Sequence, residues 1–211
     1  MTDSTTEDGV LLYWLPLGAG DAVPCVRWNG RLFEALAARH GHREACDLFH
    51  SALEVCLDGD RFVIELAPAW SGGGDGRGVV AVGPVGLRPL GRSRFFRYEV
   101  RRWRGGVIPD ASQVAGAPHR LVSTREGVSR LLDAVKDFPT LTWGRDELGT
   151  GDMWNSNSLI SWVLARSGHD LSTVAPPKGG RAPGWNAGMV AAARRAIDEG
   201  TTVTGLPAIE G

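Results

Sequence analysis

Two short segments of the sequence carry the residue types of a nucleophile and its base. Residues 152–164 read Asp-Met-Trp-Asn-Ser-Asn-Ser-Leu-Ile-Ser-Trp-Val-Leu, which predicts a polar turn and then an apolar helix that starts at Ser156. A hydroxyl at a helix start lies beside unpaired backbone N–H groups and the positive end of the helix dipole, which stabilise negative charge. Much earlier in the chain, His50 heads the alternating, strand-like run 49–55. A neutral imidazole is the usual base that activates a serine hydroxyl, so the two segments together suggest nucleophilic catalysis.

Four further polar or aromatic residues fit roles around this pair. Glu65 is a polar residue inside an apolar run, where it either orients His50 as a carboxylate partner or lies on the exposed face of a strand. Asn155 and Asn157 offer amide donors for an oxyanion, although asparagine beside a helix start is also a common cap. Trp154 is a candidate for lining a substrate cleft, and packing in the core is its alternative.

Common catalytic and cofactor motifs are missing from the sequence. It contains no GxSxG elbow, Walker loop, HExxH motif or dinucleotide fingerprint, so we expect no cofactor and no metal. The cysteines are odd in number and lack CxxC spacing, which argues against a disulfide framework and indicates a reducing compartment. They are Cys25, Cys46 and Cys56. The N-terminus has neither the basic start nor the apolar stretch of a signal peptide, and no window approaches the roughly 18 apolar residues of a membrane span. We therefore expect a cytoplasmic protein.

The length and composition of the chain predict one globular domain. Its 211 residues are 43% hydrophobic and 22% charged, with a formal net charge of -1. These values place residues 1–211 in a single domain with its core at about 10–167, and they argue against a nucleic-acid partner. Six arginines occur from Arg92 to Arg104, with aromatic residues between them. We interpret this run as the solvated face of an edge strand, where charge discourages pairing with other chains.

Hydrophobic patterning predicts an antiparallel sheet in the first half of the chain. Alternating or continuous apolar runs, typical of strands, end at glycine-rich turns or at the hairpin signal Asp58-Gly59-Asp60. They occupy residues 10–17, 46–57, 61–67, 79–82 and 95–103, with a short connecting strand at 140–143. His50 and Glu65 are therefore predicted to lie on neighbouring antiparallel strands.

Helices are predicted mainly in the second half. Asn29 is a suitable cap for an early helix that ends at Gly41. The spacing of Ser123 and Glu126 is that of a capping box, and it introduces an amphipathic helix. The helix of Ser156 should run to about residue 166. A proline- and glycine-rich loop, 176–184, leads to a last helix at about 185–197, so that residues 169–198 form a C-terminal loop and helix.

The order of these segments resembles that of the circularly permuted papain-like (NlpC-like) superfamily, which includes the lecithin:retinol acyltransferase-like and PPPDE peptidase proteins. The run Phe49-His50-Ser-Ala-Leu-Glu-Val is similar to the histidine strand of that group. Asn155-Ser156-Asn-Ser-Leu159 is similar to its helix motif, in which cysteine normally stands where this chain has Ser156. The resemblance spans roughly residues 46–167, and it implies an α+β fold in which an antiparallel sheet packs against helices.

The resemblance also implies an activity. It predicts a hydrolase or an acyl or peptidyl transferase that acts on an amide or ester, with Ser156 as nucleophile, His50 as base and Glu65 as the orienting residue. Because serine replaces cysteine, the hydroxyl must be activated by a general base rather than ionise as a thiolate does. The alternative is a catalytically inactive papain-like domain that binds a peptide or a lipid-like ligand in the same cleft.

Overall fold

A computed structural model describes residues 7–17, 44, 46–70, 76, 78–108 and 111–200 of the chain. In these residues seven strands form a mainly antiparallel sheet, and three α-helices pack against it. The strands are β1 (Gly9–Pro16), β2 (Asp47–Leu57), β3 (Asp60–Pro68), β4 (Val79–Pro84), β5 (Arg97–Arg104), β6 (His119–Leu121) and β7 (Gly180–Arg181). The helices are α1 (Arg125–Ala134), α2 (Ser156–Arg166) and α3 (Trp185–Asp198). The predicted α+β class is confirmed. The helix predicted after Asn29 lies outside the described residues.

The strand order is β4-β5-β3-β2-β1-β6, and the two-residue β7 pairs in parallel with the start of β2. Alternation gives the sheet two different faces. On one face Leu12, Leu53 and Ile64 are fully buried in the main core against the helices. On the other face a smaller cluster contains Leu15 and Ala52. The β2–β3 hairpin forms at the predicted position.

A two-residue turn at Asp58 and Gly59 sets the register of that hairpin. Their φ angles are 54° and 79°, and a two-residue type I′ turn requires positive φ at both central positions. The register pairs Leu53 with Ile64 and Leu57 with Asp60. Strand β3 pairs only with residues Leu53–Leu57 of β2. The first half of β2 is therefore not covered by β3 on this edge.

Helix α2 is the central element of the core. All its residues from Ser156 to Ala165 are buried, and a helix that is buried on every side must pack against several elements. It packs on the sheet, on α1 and most extensively on α3. Gly188 permits the contact with α3, because a Cβ atom there would lie 2.1 Å from both Ser158 O and Ser161 Oγ.

The arginine-rich run is wrongly predicted as an edge strand. Strand β5 lies inside the sheet, between β4 and β3, and its Arg101 side chain is only 4% exposed. Burial is tolerated because the guanidinium forms ion pairs with Glu65, at 3.0 Å, and with Glu99, at 2.8 Å. The charges of this strand are therefore partly neutralised inside the fold.

Three smaller predictions also differ from the structure. Residues 140–143 form no strand, and only an isolated bridge joins Trp143 to Val85. The cap of α1 is Thr124, one residue later than the predicted Ser123, and its side chain accepts from the Gly127 N–H. The loop 176–184, predicted to lack regular structure, contains β7. Short-range patterns did not resolve these details because tertiary contacts select among neighbouring turns and caps.

Replacing Gly188 by alanine should destabilise the protein by about 2 kcal/mol or more, since the overpacking at the α2–α3 contact exceeds the gain in helix propensity. The matched control is Gly127→Ala in α1, where a Cβ atom would meet only ordinary contacts at 3.4 Å and beyond. This control should be neutral or stabilising by up to about 1 kcal/mol. Urea unfolding of both variants measures the difference. Equal stability of the two variants would show that the helices do not pack as closely as described.

Candidate functional site

The start of α2 is fixed by a reciprocal cap. Asn155 is the N-cap residue, and its Oδ1 accepts from the Asn157 backbone N–H at 2.8 Å. In return, the Ser158 hydroxyl accepts from the Asn155 N–H at 3.0 Å. This is a capping box, so Ser156 is the first residue of the helix, as predicted.

The Asn157 side chain joins this helix start to the histidine strand. Its Nδ2 donates to Phe49 O at 2.9 Å and to Pro183 O at 2.7 Å, while its Oδ1 accepts from Ser51 Oγ at 2.7 Å. Phe49 and Ser51 flank His50, so the two segments that the sequence singled out meet in the fold. The contact lies on the edge of β2 that β3 leaves open.

His50 points away from the helix-packed face of the sheet. Phe49, Leu53 and Val55 belong to the main core, and strand alternation therefore assigns the His50 side chain to the other face, with Ala52. The ring is half-buried. Desolvation by the surrounding protein lowers the pKa of His50 from 6.5 to about 4, so the imidazole is neutral at physiological pH.

In the described part of the chain, the side chains of Ser156 and His50 lack a hydrogen-bond partner, as does the buried Nε1 of the neighbouring Trp154. Within the described residues no side-chain hydrogen bond involves either of them, and none joins the two. Ser156 is 8% exposed. The predicted nucleophile and base are thus brought to one edge of β2 without being in contact.

Glu65 has a different partner from the one predicted. It lies on β3 on the same side of the sheet as His50, but its Oε1 accepts from Arg101 Nη1 at 3.0 Å. No hydrogen bond joins Glu65 to His50 among the described residues. The carboxylate of Glu65 belongs instead to the ion-pair cluster around Arg101, which also includes Glu99. Its role in orienting His50 stays a prediction.

The other predicted site residues have structural roles. The Asn155 Nδ2 donates to Pro183 O at 2.8 Å, and both amide hydrogens of Asn157 are used, so the latter has no donor left for an oxyanion. Trp154 is 1% exposed and stacks on Phe138 with ring centroids 4.8 Å apart. It lies in the core rather than along a cleft.

The turn before α3 also contacts the start of α2, and the sequence did not predict this contact. The Asp152 carboxylate accepts from Gly184 N at 2.6 Å and from Asn186 N at 3.2 Å, so it caps α3. Gly184 has a φ of 91°, and a Cβ there would lie 2.2 Å from Asn155 Oδ1. The glycine is therefore required both by backbone conformation and by close approach. Its position just before the predicted last helix was the available signal.

A second serine–histidine contact was also missed. The Ser123 hydroxyl lies 2.7 Å from His169 Nε2, and Ser167 Oγ lies 2.8 Å from His169 Nδ1. Ser167 donates its only hydroxyl hydrogen to Val163 O, at 2.6 Å, so it accepts from Nδ1–H, and Nε2 accepts from Ser123. His169 is 6% exposed. The contacts tie the loop before α1 to the end of α2, which explains the burial of the ring.

Comparison with protein-family models, with curated proteins and with solved structures finds no match. In the described residues, no group of three His, Cys, Asp or Glu side chains is arranged to hold a metal ion. None of the helices described above combines the length and apolar character that crossing a membrane requires. Cys56 is a free thiol, and Cys25 lies outside the described residues.

Replacing Asn157 by alanine should destabilise the fold by about 2–4 kcal/mol, because it leaves the buried Ser51 hydroxyl and the Phe49 carbonyl without their partner, while Pro183 O keeps only its bond from Asn155. Asn186→Ala is the matched control: its exposed side chain makes no hydrogen bond in the described chain, so the change should stay within about 0.5 kcal/mol. The free energies of unfolding of both variants, measured with a chemical denaturant, test how much the Asn157 side chain contributes to stability. A loss in the Asn157 variant no larger than that in the control would contradict the bridge.

Proposed function

We propose that the protein is a hydrolase or an acyl or peptidyl transferase that acts on an amide or ester through Ser156 and His50. The observation that carries the proposal is the pattern of hydrogen bonds at the edge of β2. Asn155, Asn157, Ser158 and Ser51 are all hydrogen-bonded and hold the backbone, while Ser156 and His50 keep free polar groups beside them. These hydrogen bonds fix the two backbone segments that carry the reactive groups, which is the support that a catalytic site needs.

The chemistry follows from the protonation state of His50. Its lowered pKa keeps the ring neutral, so the imidazole accepts the Ser156 proton as Oγ attacks the substrate carbonyl. The negative charge that develops on the carbonyl oxygen is stabilised by the backbone N–H of Ser156 and by the dipole of α2, because the N–H groups of Asn157, Ser158 and Leu159 are already bonded to Asn155. The imidazolium then protonates the leaving amine or alcohol. Water completes hydrolysis of the acyl-serine, and an acceptor amine or alcohol completes transfer.

The two groups must approach each other for this reaction. The His50 side chain lies on the face of β2 opposite to α2. To reach Ser156 it must pass the edge of β2 at residues 49–52, which β3 does not cover. Asn157 already binds both neighbours of His50 at this edge. Catalytic hydrogen bonds are often long in the absence of substrate and tighten in the complex.

A permuted papain-like arrangement is the fold that we propose for this site. Its support is the chain order, in which a histidine strand and hairpin precede a helix whose start contacts that strand. The serine also suits the local electrostatics. A thiolate–imidazolium pair requires a protonated histidine, and desolvation opposes protonation of His50, whereas general-base activation of a hydroxyl requires the neutral ring.

A specific observation favours the inactive alternative. Glu65 is held by Arg101, and no other described carboxylate hydrogen-bonds to His50, so the base has no orienting partner. Under this alternative the domain binds a peptide or a lipid-like ligand in the same cleft without turnover. The reaction of the serine itself discriminates between the two.

A fluorophosphonate probe should label the wild-type protein at Ser156. The label should be lost in Ser156→Ala, and His50→Gln should slow labelling by about 10²–10⁴-fold because the base is removed. Ser123→Ala is the matched control, since Ser123 contacts the other histidine, and it should label normally. Mass spectrometry of the labelled peptide locates the site. An unlabelled wild-type protein would favour the binding module, and a label on Ser123 would transfer the activity to the His169 contact.

The pH dependence of labelling should reveal the lowered pKa of His50. The rate should stay nearly constant as pH falls from about 8 to 5, and decrease only as pH passes through about 4, where the ring takes up a proton. This acid limb should disappear in the residual rate of His50→Gln. Circular dichroism at each pH separates loss of the base from unfolding. An acid limb near 6.5, the ordinary histidine value, would contradict the proposed base.

A further inference from the structure

The connection between β4 and β5 exposes an unusual number of apolar side chains. It consists of two short 3-10 helices, Arg88–Arg92 and Arg94–Phe96, neither of which contains a buried residue. Four hydrocarbon side chains project from it, and we call them the apolar tip. They are Leu87, Leu90, Phe95 and Phe96, exposed by 50%, 40%, 68% and 43%. Grouped apolar exposure of this kind on a folded domain marks an interaction surface.

The exposure is built into an ordered connection. The Arg97 guanidinium donates to Gly91 O and, at 3.1 Å, to Arg92 O, which folds the connection back on β5. At its base Val85 N donates to Phe96 O at 2.8 Å, and Arg145 Nε donates to Gly86 O at 2.7 Å. The backbone is therefore braced while the apolar side chains remain outside.

The charged residues of the connection that carries the apolar tip are all arginines. No aspartate or glutamate occurs from Val79 to Tyr98. Arg88 is neutralised from outside the connection by Glu147, to which it donates at 2.6 Å. Arg92 and Arg94 are exposed, and in the described residues neither forms an ion pair. These two exposed arginines thus accompany the four apolar side chains.

We propose that the apolar tip docks on an anionic lipid bilayer. Leucine and phenylalanine side chains insert at the boundary between headgroups and acyl chains, and arginines beside them attract anionic headgroups. The positive charges of Arg92 and Arg94 favour a bilayer with anionic headgroups over a neutral bilayer. Single-stranded nucleic acid is the less suitable partner, because two of the four side chains are leucines, which offer no ring for base stacking.

This surface shares no residue with Ser156 and His50, so the proposal stands apart from the catalytic one. Docking at the tip would bring the protein to a membrane surface. Its loss would leave the reactivity of Ser156 toward a small soluble probe unchanged.

The test is sedimentation of the full chain with vesicles of phosphatidylcholine, with and without 30 mol% phosphatidylglycerol, a composition of about one anionic lipid in three. Wild-type protein should bind the anionic vesicles, and more weakly as salt increases. The double variant Arg92→Gln/Arg94→Gln should bind roughly 25-fold more weakly, from about fivefold per arginine. Phe95→Ser/Phe96→Ser should lose at least about tenfold, since two apolar side chains no longer insert.

Matched controls are Val122→Ser, which alters a fully exposed apolar residue elsewhere, and Arg104→Gln, which alters an exposed arginine paired with Asp60. Both should bind as the wild type does. Unchanged unfolding midpoints would show that the tip variants are folded. The proposal is overturned if the wild type does not sediment with anionic vesicles, or if the tip variants bind like the controls. Binding of single-stranded RNA with the same dependence on the tip would also overturn it.

Discussion

The bridge made by the Asn157 side chain is the interaction on which the candidate site depends. One amide group connects the first turn of α2, the backbone of β2 and the turn before α3. These elements are far apart in the chain, and the contacts to Phe49 and Ser51 are buried, so losing either would leave a polar group unsatisfied. The position of Ser156 relative to His50 is therefore set by its neighbour and not by any contact of its own.

The same frame explains why a polar cluster is tolerated inside an apolar helix. Helix α2 is buried on every side, and a buried start would leave backbone N–H groups unsatisfied unless side chains supplied acceptors. Asn155 and Ser158 supply them through the reciprocal cap. The Asn-Ser-Asn-Ser sequence thus has a structural purpose for three of its four residues. Ser156 is the residue that this structural account leaves over.

Local signals in the sequence were sufficient for much of this fold. The Asp58-Gly59 turn, the hairpin and the limits of α2 and α3 follow from short patterns, because turn geometry and hydrophobic period are decided within a few residues. The neighbours of β5 are decided by pairing with distant strands, so its arginines were wrongly predicted at an edge. For the site, sequence indicated which segments meet. It did not indicate that Glu65 pairs with Arg101, nor that Ser51, a polar residue on the core face of β2, receives Asn157.

The turn at Gly184 brings the beginnings of α2 and α3 together, and this has an electrostatic consequence. Asp152 places its carboxylate at the start of α3, so the partial positive charge of that helix is balanced locally, and burial raises the pKa of this carboxyl. Helix α2 has no acidic residue in its first turn. Of the two converging helices, only α3 is capped by a carboxylate, so the partial positive charge at the first turn of α2 is not balanced by an acidic residue of that turn. A molecule approaching this edge of β2 meets a field that attracts electron-rich oxygen and repels cations.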